Sequence, residues 1–544
     1  TRMNKIILIL LSILTWSQAI AQTNSDSRQI AKVDSLLQAY TYSDEPGLAL
    51  GIIKNGEVIY QNAIGIADLS HHIPISDSTT FNIASVSKQF TALAALIAEE
   101  EGKLSLQDEI KKYLPELKHL PYPITIQQLA NHTHGLPNYS DLIEMIGFGL
   151  ASPIPNDQAV ATMLEIKQVN FEPGTQFQYG NSGFMLLAEI LKRVYEKPFP
   201  ELMQEKVFEP LALDQTAVID HPNTIIPRKA LPYTSHGDTY VEYPSRLMES
   251  GSANIHTTLN DLVTWATNFQ KPRAGTQQKL ARLMTETVSL IEESEYGYGL
   301  GLFTELYKGM RIIFHGGGTA GYRAYILHVP DHNLSIVTLG NQDRYDALLI
   351  VKDLLKLYLK EYMVEQVPSK TAYTSEEMRA FEGTFKFHPG QYWTFTTDGK
   401  DLYFSGLEAP IPLIGDGKFE FFLPTSYLTF NDSAMELRVA DFTYHCPRVK
   451  LDPPSLSIEE LSKYSGIFRN EEFNTYYELL VIKDKLVAKH LTNGEIPLSP
   501  LSKDRFYAGY PLGEFEFQLD ASGEVMGFKL SGQNYYDIQF MKLK

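Results

Sequence analysis

The hydrophobic pattern of the chain changes near residue 364, and this change limits the architectures that the chain can adopt. Before that point helical and strand patterns both occur, whereas after it the chain consists of short aromatic and β-branched runs separated by Gly, Asp and Asn. The stretch between the two parts, residues 364–373, contains Pro368 and has no periodicity, as expected of a linker. We therefore predict a mixed α and β domain over residues 22–363 and an all-β region after the linker.

The strand patterns of the first part lie at its two ends, and the helical patterns lie between them. Near the start, two apolar or alternating runs flank Asn55-Gly56, the strongest short signal for a hairpin turn. The predicted strands are 48–54, 57–64, 311–315, 322–329 and 335–339, and the predicted helices are 85–113, 157–166, 182–195 and 345–362. This order predicts an α+β fold in which one antiparallel sheet joins the two ends of the domain, with a helical region inserted between them.

An internal repeat determines the prediction for the last part of the chain. Two pairs of strings recur in the same order: Phe381-Glu382-Gly383-Thr384-Phe385 with Tyr464-Ser465-Gly466-Ile467-Phe468, and Ile411-Pro412-Leu413 with Ile496-Pro497-Leu498. Such a repeat indicates two copies of one supersecondary unit. We predict two small antiparallel β-barrels, residues 374–453 and 454–544. The alternative is one larger β-sandwich whose strands resemble each other by composition.

The first 21 residues have the pattern of an export signal. Arg2 and Lys5 precede an apolar run, and Ala19-Ile20-Ala21 closes it, in the order of a secretory signal peptide. A membrane anchor is the alternative, but the apolar run is shorter than the roughly 20 residues that span a bilayer. We therefore predict cleavage after Ala21, no membrane span in the mature protein, and a location in the periplasm or outside the cell.

Charge and cysteine content narrow the possible partners. The formal net charge of −18 argues against nucleic acid or an anionic membrane, because both require a positive surface. Cys446 is the single cysteine, so neither an internal disulfide nor a thiolate metal cluster can form. A small-molecule or peptide substrate is the partner that we expect, and the sequence carries no signal for the oligomeric state.

The first of three chemically reactive clusters contains Ser85 and Lys88. Phe90, Leu93 and Ile97 continue the segment at helical spacing, so Ser85 lies at or near a helix start and Lys88 lies on the same helix face. A serine hydroxyl becomes nucleophilic when a neighbour takes its proton, and a buried lysine can lose its charge and serve as that base or support it. Alone the pair is a weak signal, because many surface helices carry it.

The second cluster is Tyr179-Gly180-Asn181, which follows Pro173-Gly174-Thr175. A tyrosine can transfer protons where a cation lowers its pKa, and an asparagine side chain both donates and accepts hydrogen bonds. In isolation these residues also fit an ordinary turn with a packed tyrosine.

The third cluster is His315 followed by three glycines, Gly316, Gly317 and Gly318, at the end of an apolar run. Glycines there let a substrate approach the backbone and expose N–H groups that can form an oxyanion hole. A phosphate-binding loop is the alternative, but no Lys-Ser/Thr pair follows and the next pattern is a strand. The string also occurs in the oxyanion loop of α/β-hydrolases, but the chain has no G-x-S-x-G nucleophile turn.

In combination, S-x-x-K, Y-x-N and H-x-G in this order resemble the active-site signature of one broad serine hydrolase family. That family contains class C β-lactamases, D-alanyl-D-alanine carboxypeptidases, D-aminopeptidases and related esterases. The resemblance covers roughly residues 48–362 and implies a β-lactamase/transpeptidase-like fold. The two β units resemble the small, lipocalin-like barrel domains that follow the catalytic domain in D-aminopeptidase-like members.

The resemblance implies a role for each matching residue. Ser85 would be the acylated nucleophile, Lys88 its activating partner and Tyr179 the general acid or base; whether Lys88 or Tyr179 takes the first proton stays open. The residues with implied substrate contacts are Asn181, His315, Gly317 and Gly318, and the backbone N–H groups of Ser85 and Gly318 would form the oxyanion hole. These roles imply hydrolysis of an amide or ester through an acyl-enzyme, without a metal or another cofactor.

Departures from the family pattern leave the substrate open. His315 replaces the lysine of the K-T-G form of the motif. With histidine at this position, the chain resembles peptidases and esterases more than dedicated β-lactamases. Arg323 is a candidate for holding a substrate carboxylate, and a solvated strand arginine is the alternative. His132 and His134 raise the question of zinc, but no further ligand set is evident.

Three alternative functions are consistent with the same sequence. A class C-like β-lactamase would hydrolyse cephalosporins at high turnover. A non-hydrolytic penicillin-binding or sensor protein would be acylated without turnover. A carbohydrate-binding β module on an inert scaffold would use the aromatic residues after Tyr373, which also fit the core of a barrel.

Overall fold

The computed structural model describes residues 29–543, except for short stretches between them. The stretches not described are 41–42, 238, 274, 276, 286–296, 365–368, 406, 408, 422–425 and 440–441. The predicted signal peptide, residues 1–21, lies outside the described residues, as does part of the predicted linker. Among the helices of the described part, none combines the length and the hydropathy needed to cross a bilayer.

In the described part of the chain, seven antiparallel strands form the central sheet of the first domain. Their order across the sheet is Gly297–Gly299, Leu302–Tyr307, Met310–Thr319, Tyr322–Val329, Leu334–Gly340, Leu48–Lys54 and Glu57–Ile64. Leu48 pairs with Gly340, so the first strand of the domain lies beside the last. Asn55 and Gly56 both have positive φ, which the predicted type of hairpin turn requires. The predicted α+β arrangement, with its two ends meeting in one sheet, is confirmed.

The helices of this domain lie mostly between the second and third strands of the sheet in the sequence. The α-helices are 29–40, Lys88–Glu100, Ile126–Ala130, Tyr139–Met145, Asn156–Leu164, Ser182–Tyr195, Phe199–Met203, Glu209–Leu211, Leu259–Gln270, Gln277–Thr285 and Ala347–Leu359. Single turns of 3₁₀- or π-helix occur at Ala84–Ser87, Ile110–Lys112, Pro115–His119, Gln204–Phe208, Pro330–His332 and Lys360–Tyr362. Three small sheets lie outside the central one. The first has three strands, in the order Phe81–Asn82, Ile255–Thr257 and Ala217–Val218. The other two are pairs, Ile66–Asp68 with Ile73–Pro74 and Tyr233–His236 with Thr239–Glu242.

Two of the predicted element boundaries were wrong. The helix predicted over residues 85–113 ends at Glu100, because Gly102 adopts positive φ and turns the chain out of the helix. The strand predicted to end at residue 315 continues through the three glycines to Thr319. Glycine is a weak strand former, and the continuous pairing with Tyr322–Val329 outweighs that preference.

The first β unit is a sheet of eight antiparallel strands that stops short of full closure. Its strands are Gly383–His388, Gln391–Thr397, Leu402–Phe404, Leu413–Gly415, Lys418–Glu420, Tyr427–Phe430, Ala434–Val439 and Phe442–Val449. The third and fourth strands form the two edges, and among the described residues the bridge between Leu402 and Ile411 joins them. The short helix Ser375–Arg379 precedes the unit.

The second β unit is a closed barrel of eight strands. Its strands are Gly466–Asn470, Thr475–Ile482, Lys485–His490, Gly494–Ser502, Arg505–Tyr507, Glu514–Leu519, Val525–Ser531 and Ile538–Lys542. Pairing of Phe468 with Lys542 joins the first strand to the last. The helix Ile458–Ser462 precedes it with a capping box like that of the first unit. The fold prediction of two related β units is confirmed, with the difference that the first is a half-closed sheet; their domain boundaries stay a prediction.

Candidate active site

Ser85 lies in a tight turn at the start of a helix. A short strand ends at Asn82, the 3₁₀ turn Ala84–Ser87 follows, and the helix Lys88–Glu100 continues from it. Ala84 has a φ of +46°, which non-glycine residues rarely adopt, and the Asn82 side chain accepts a hydrogen bond of 2.8 Å from its N–H. This strained turn holds the half-buried Ser85 hydroxyl at the edge of the helical region.

The amine of Lys88 is fully buried beside the Ser85 hydroxyl. Its Nζ donates hydrogen bonds to Ser85 Oγ at 3.0 Å, to Asn181 Oδ1 at 2.8 Å and to the carbonyl of Ser252 at 3.0 Å. Burial lowers the pKa of Lys88 to about 7, although the nearby Glu249 carboxylate opposes that change. A substantial fraction of this amine is therefore neutral near neutral pH.

The Tyr179 side chain completes the contacts of Ser85. Its ring centroid lies 5.0 Å from Lys88 Nζ, and its phenol is close enough to Ser85 for the serine hydroxyl to act on its pKa. Desolvation raises the pKa of Tyr179 well above its usual range, and the interaction with Ser85 only partly offsets this effect. The phenol therefore keeps its proton at neutral pH. The structure thus brings the first two sequence clusters together around one hydroxyl.

Asn181 directly precedes the helix Ser182–Tyr195. Its backbone N–H donates to Asn138 Oδ1 at 2.7 Å, while its side chain amide is engaged at both ends. The oxygen accepts from Lys88, and the nitrogen donates to Ser140 Oγ and to Glu249 Oε2, each at 3.0 Å. In this arrangement Asn181 binds protein groups, and its implied contact with a substrate amide stays a prediction.

The glycine-rich strand lies against the turn that carries Ser85. A Cβ at Gly317 would be 2.2 Å from the carbonyl oxygen of Ile83, so any side chain there would push the strand away from the turn. The third sequence cluster therefore reaches the same site as the first two, and this packing explains why Gly317 must be glycine. A direct substrate contact by Gly317 stays a prediction.

His315 is buried, and both of its ring nitrogens have protein partners. Nδ1 lies 2.6 Å from the Gly316 carbonyl, which can only accept, so Nδ1 carries the proton. Burial lowers the pKa of His315 to about 3, so Nε2 is unprotonated and accepts from the Tyr298 hydroxyl at 3.1 Å. His315 therefore supports the glycine strand from within, and the substrate contact implied for it stays a prediction.

The predicted oxyanion hole, formed by the backbone N–H groups of Ser85 and Gly318, stays a prediction. The glycine strand meets the turn that carries Ser85 at Gly317, which faces the Ile83 carbonyl and the Val86 side chain. Ser85 is the second residue of its 3₁₀ turn, where an N–H has no partner within the turn.

Arg323 lies outside this cluster of contacts, on the strand next to the glycines. Its Nη1 donates to the carbonyls of Ala320 at 2.9 Å and Tyr322 at 2.7 Å. The side chain also lines a surface pocket of about 410 Å³ that includes the three glycines and Asp343. The guanidinium is thus partly engaged by backbone, and its binding of a substrate carboxylate stays a prediction.

The histidines considered for zinc are buried beside the site. His132 packs against Tyr179 and Tyr298 with ring centroids 4.4 and 4.5 Å apart, and His134 Nδ1 accepts from the N–H of Leu136 at 2.9 Å. Burial lowers the pKa of His134 to about 3. Within the residues that the structure describes, no group of three or more His, Cys, Asp or Glu is placed to hold a metal.

Two residues next to the site were not found by sequence reasoning. Tyr298 lies in a Tyr-Gly repeat before the strand Leu302–Tyr307, and this repeat was the only signal available for it. Glu249 lies in a segment without helical or strand periodicity, and no motif marks it. Both become visible only when distant parts of the chain are brought together.

Comparison with known proteins gives the family of the first domain. The model of the family described as Beta-lactamase matches residues 33–358, more than half of the chain. Penicillin-binding protein 4* of Bacillus subtilis (strain 168) is 26% identical over 420 residues, which cover 72% of this chain and 88% of that protein. A D-aminopeptidase of Brucella anthropi is 30% identical over 302 residues, and the match covers 54% of this chain and 56% of that protein.

A solved structure resembles nearly the whole chain. The octameric penicillin-binding protein homologue from Pyrococcus abyssi matches with a TM-score of 0.55 and 19% identity, over 94% of this chain and 100% of that one. At this identity the likeness establishes the fold alone. It extends the comparison beyond the first domain into the two β units.

Proposed function

Because the chain belongs to the β-lactamase family, we propose that it is a serine hydrolase that cleaves an amide, or a related ester, through an acyl-enzyme on Ser85. The observation that supports this proposal most directly is the 3.0 Å hydrogen bond between Lys88 Nζ and Ser85 Oγ, made by an amine whose pKa burial lowers to about 7. A neutral amine at this distance can take the hydroxyl proton as the oxygen attacks a carbonyl carbon.

The two candidate bases differ in their protonation state. Lys88 has an accessible neutral form, whereas the pKa of Tyr179 is raised by desolvation and its phenol stays protonated. We therefore assign the first proton transfer, from Ser85 Oγ, to Lys88. Tyr179 then donates a proton to the leaving nitrogen and regains one from the Lys88 ammonium, whose charge lies 5.0 Å from its ring.

Deacylation uses the same groups in reverse. Water attacks the ester carbonyl and gives up a proton to the Tyr179 and Lys88 pair, and Ser85 leaves with a proton from that pair. In both steps the negative oxygen of the tetrahedral intermediate would be held by the N–H groups of Ser85 and Gly318. No step requires a metal or a cofactor.

The substrate class is proposed from relatives and from the sequence. A D-aminopeptidase is among the relatives, which favours an amide bond next to a D-residue in a small peptide or amide. We also propose that the protein is exported, on the basis of the charged and apolar pattern of residues 1–21. Fusion of these residues to a periplasmic reporter tests export, and retention of the reporter in the cytoplasm would contradict it.

A substrate panel with mass detection tests the proposed chemistry. The purified protein is incubated with D-amino-acid amides, D-Ala-D-Ala peptides, β-lactams and short esters, and the intact mass is followed for an adduct on Ser85. We expect turnover of an amide or ester, and a loss of at least about a thousandfold in S85A. High turnover of a cephalosporin would instead support a β-lactamase, and stable acylation without turnover would support a penicillin-binding sensor.

The pH profile tests the assignment of the base. If neutral Lys88 takes the proton, kcat/KM should rise with pH through about 7, the pKa to which burial brings this amine. Loss of turnover in K88A and Y179F should be far from additive, because the residues act as one unit. Near-normal turnover by S85A would end the proposal.

A further inference from the structure

Glu249 is a buried carboxylate that the proposed mechanism does not use directly. Only 7% of the residue is exposed, and both of its oxygens accept hydrogen bonds from residues around the site. Oε1 accepts from Ser140 Oγ at 2.7 Å, and Oε2 accepts from Asn181 Nδ2 at 3.0 Å. Burying a carboxylate is unfavourable unless its oxygens are bonded, so this position is specifically built for one.

The carboxylate fixes the direction of the Asn181 amide. A carboxylate offers acceptors, so the NH₂ of Asn181 must face Glu249 and the carbonyl of the amide must face the other way. The Asn181 carbonyl therefore faces Lys88, whose Nζ lies 2.8 Å from Asn181 Oδ1. With the amide rotated by half a turn, two N–H groups would point at the Lys88 amine and two oxygens would face each other at Glu249.

This direction determines where the lone pair of Lys88 points. A neutral amine retains two N–H donors, and two of the three contacts of Nζ, Asn181 Oδ1 and the Ser252 carbonyl, can only accept. Both donors are therefore engaged by these acceptors. The third contact is Ser85 Oγ at 3.0 Å, to which the ammonium donates; in the neutral amine this contact is left for the lone pair.

We propose that Glu249 is a positioning residue that holds the Asn181 amide so that neutral Lys88 presents its lone pair to Ser85, and that its charge balances the ammonium formed when Lys88 takes the proton. The inference rests on the proposed function, since it assigns Lys88 as the base. Glu249 touches neither Ser85 nor a reacting atom in this arrangement, and it acts through Asn181.

The charge of Glu249 supports the same role. Burial lowers the pKa of Lys88, and the Glu249 carboxylate opposes this by raising it. Burial raises the pKa of Glu249, and Lys88 opposes this by lowering it. Removing the negative charge should therefore lower the pKa of Lys88 further. The other ionisable groups that act on this pair are Asp141, Tyr139, Tyr179, His132 and His315.

The pH dependence of Ser85 acylation tests the inference in the full-length protein. The rate of labelling by a fluorophosphonate is measured by intact mass between about pH 5 and pH 9 for the wild type, E249Q and E249A. We expect E249Q to move the rising limb to lower pH by about one unit, because it removes a negative charge near Lys88. We expect E249A, which also leaves Asn181 Nδ2 with one partner fewer, to lower the rate on the plateau about 10- to 100-fold.

A matched control separates positioning from a general loss of stability. Asp261 is another buried carboxylate, and it accepts hydrogen bonds from the N–H of Gln215 and the hydroxyl of Thr216 at 2.7 Å each. D261N makes the same chemical change away from Lys88 and should leave the limb of the profile in place, even where it lowers the melting temperature. E249D should retain the wild-type limb, since it keeps the charge.

The outcomes separate this inference from the proposed function. Wild type that is not labelled on Ser85 at any pH contradicts the proposed function itself. Suppose that the labelling rate of the wild type rises near pH 7. If the rate of E249Q then rises at the same pH and the plateau rate of E249A is unchanged, the role of Glu249 alone is overturned. A limb that moves equally in D261N and E249Q also overturns it.

Discussion

The two β units carry the same sequence repeat, yet they relate to the hydrolase domain in different ways. The buried apolar side chains of the second unit belong to the same hydrophobic cluster as those of the hydrolase domain, whereas those of the first unit form a cluster of their own. The second unit is also the one that closes into a barrel. The difference indicates that the second unit is part of the scaffold of the active site, whereas the first unit lies lateral to it.

Closure fails in the first unit at a point that the sequence explains. In the second unit the third strand, Lys485–His490, pairs with the fourth along its length. In the first unit the matching strand is only Leu402–Phe404, and Pro410 and Pro412 flank Ile411. Ile411 donates a bond of 2.8 Å to the Leu402 carbonyl, and Pro410 has no N–H with which to extend the ladder. Pro412 does not account for the difference, because its counterpart Pro497 lies within the paired fourth strand of the second unit.

The second unit reaches the active site through one loop. The carbonyl of Asn534 accepts from the N–H of Asn138 at 2.8 Å, and the Asn534 side chain donates to Asp141 Oδ2 at 2.8 Å. Asn138 also donates to Asp141, and its Oδ1 accepts the backbone N–H of Asn181. A short chain of hydrogen bonds therefore connects the barrel with Asn181.

The largest expected effect comes from truncating one buried phenylalanine in the core of each β unit in turn. Phe528 in the second unit and Phe395 in the first are almost completely buried among other phenylalanines. F528A and F395A should each lower the free energy of unfolding of the affected core by about 3–5 kcal/mol. Because the second core is continuous with that of the hydrolase, F528A should also lower turnover, whereas F395A should shift a separate thermal transition and leave turnover near normal.

Calorimetry and initial rates at a temperature below both transitions check this pair of variants. The two substitutions remove the same side chain from a similar aromatic environment, so each is the control of the other. An equal loss of turnover in both variants would break the distinction between a scaffold unit and a lateral unit.

A smaller effect is expected from the contacts that each unit makes with the hydrolase domain. N534A removes the hydrogen bond to the Asp141 carboxylate, and hydrogen bonds to charged groups contribute about 1.5–3 kcal/mol. We expect kcat/KM to fall about 3- to 30-fold, because Asp141 and Asn138 orient Asn181. Y444F is the matched change in the first unit, where the Tyr444 hydroxyl donates to the Phe177 carbonyl at 3.0 Å. Steady-state kinetics should show less than about a twofold change for Y444F.

The destabilisation caused by N534A should also depend on pH. Burial raises the pKa of Asp141, and the hydrogen bonds from Asn534 and Asn138 oppose that rise. A raised carboxyl pKa means that stability present in the protonated form is lost as the pH rises through the folded-state value. N534A raises this pKa further, so its loss of unfolding free energy should be small near about pH 4 and larger near about pH 8. Urea denaturation at the two pH values measures this, and N534A in a D141N background should show no such dependence.

The sequence predicted those parts of the site that depend on short spacings. Ser85 and Lys88 are one helical turn apart, so their contact follows from local periodicity. The convergence of Tyr179 and the glycine strand on Ser85 was implied by a family pattern, since nothing local joins residues so distant in the chain. Glu249 and Asn534 escaped prediction because each lies in a loop, and only the packing of separate elements places them beside Asn181.

The distinction between features set by local sequence and features set by the packing of distant segments also applies to the fold. Alternation and turn residues predicted the hairpin at Asn55-Gly56 and the return of strands before the last helix of the domain. The repeat predicted two β units, but equal strings do not show whether a ladder closes. Closure depends on the summed pairing of two strands, and among the described residues of the first unit this pairing is the single bridge between Leu402 and Ile411, next to Pro410. Which unit shares its core with the hydrolase is likewise a property of the assembled surfaces, not of either string.

The smallest expected effect concerns the ion pair between the hydrolase domain and the first unit. Lys352 on the last helix of the hydrolase domain donates to Glu420, and both side chains are partly exposed, at 21% and 34%. Exposed pairs of this kind contribute about 0–1 kcal/mol, so E420Q should lower the free energy of unfolding by no more than about 1 kcal/mol and leave turnover unchanged. A double-mutant cycle with K352M isolates the pair, and its coupling should decline in about 1 M salt. A coupling above about 2 kcal/mol, or a loss of turnover in E420Q, would mean that the first unit is docked as firmly as the second, and the contrast between a scaffold unit and a lateral unit would then fail.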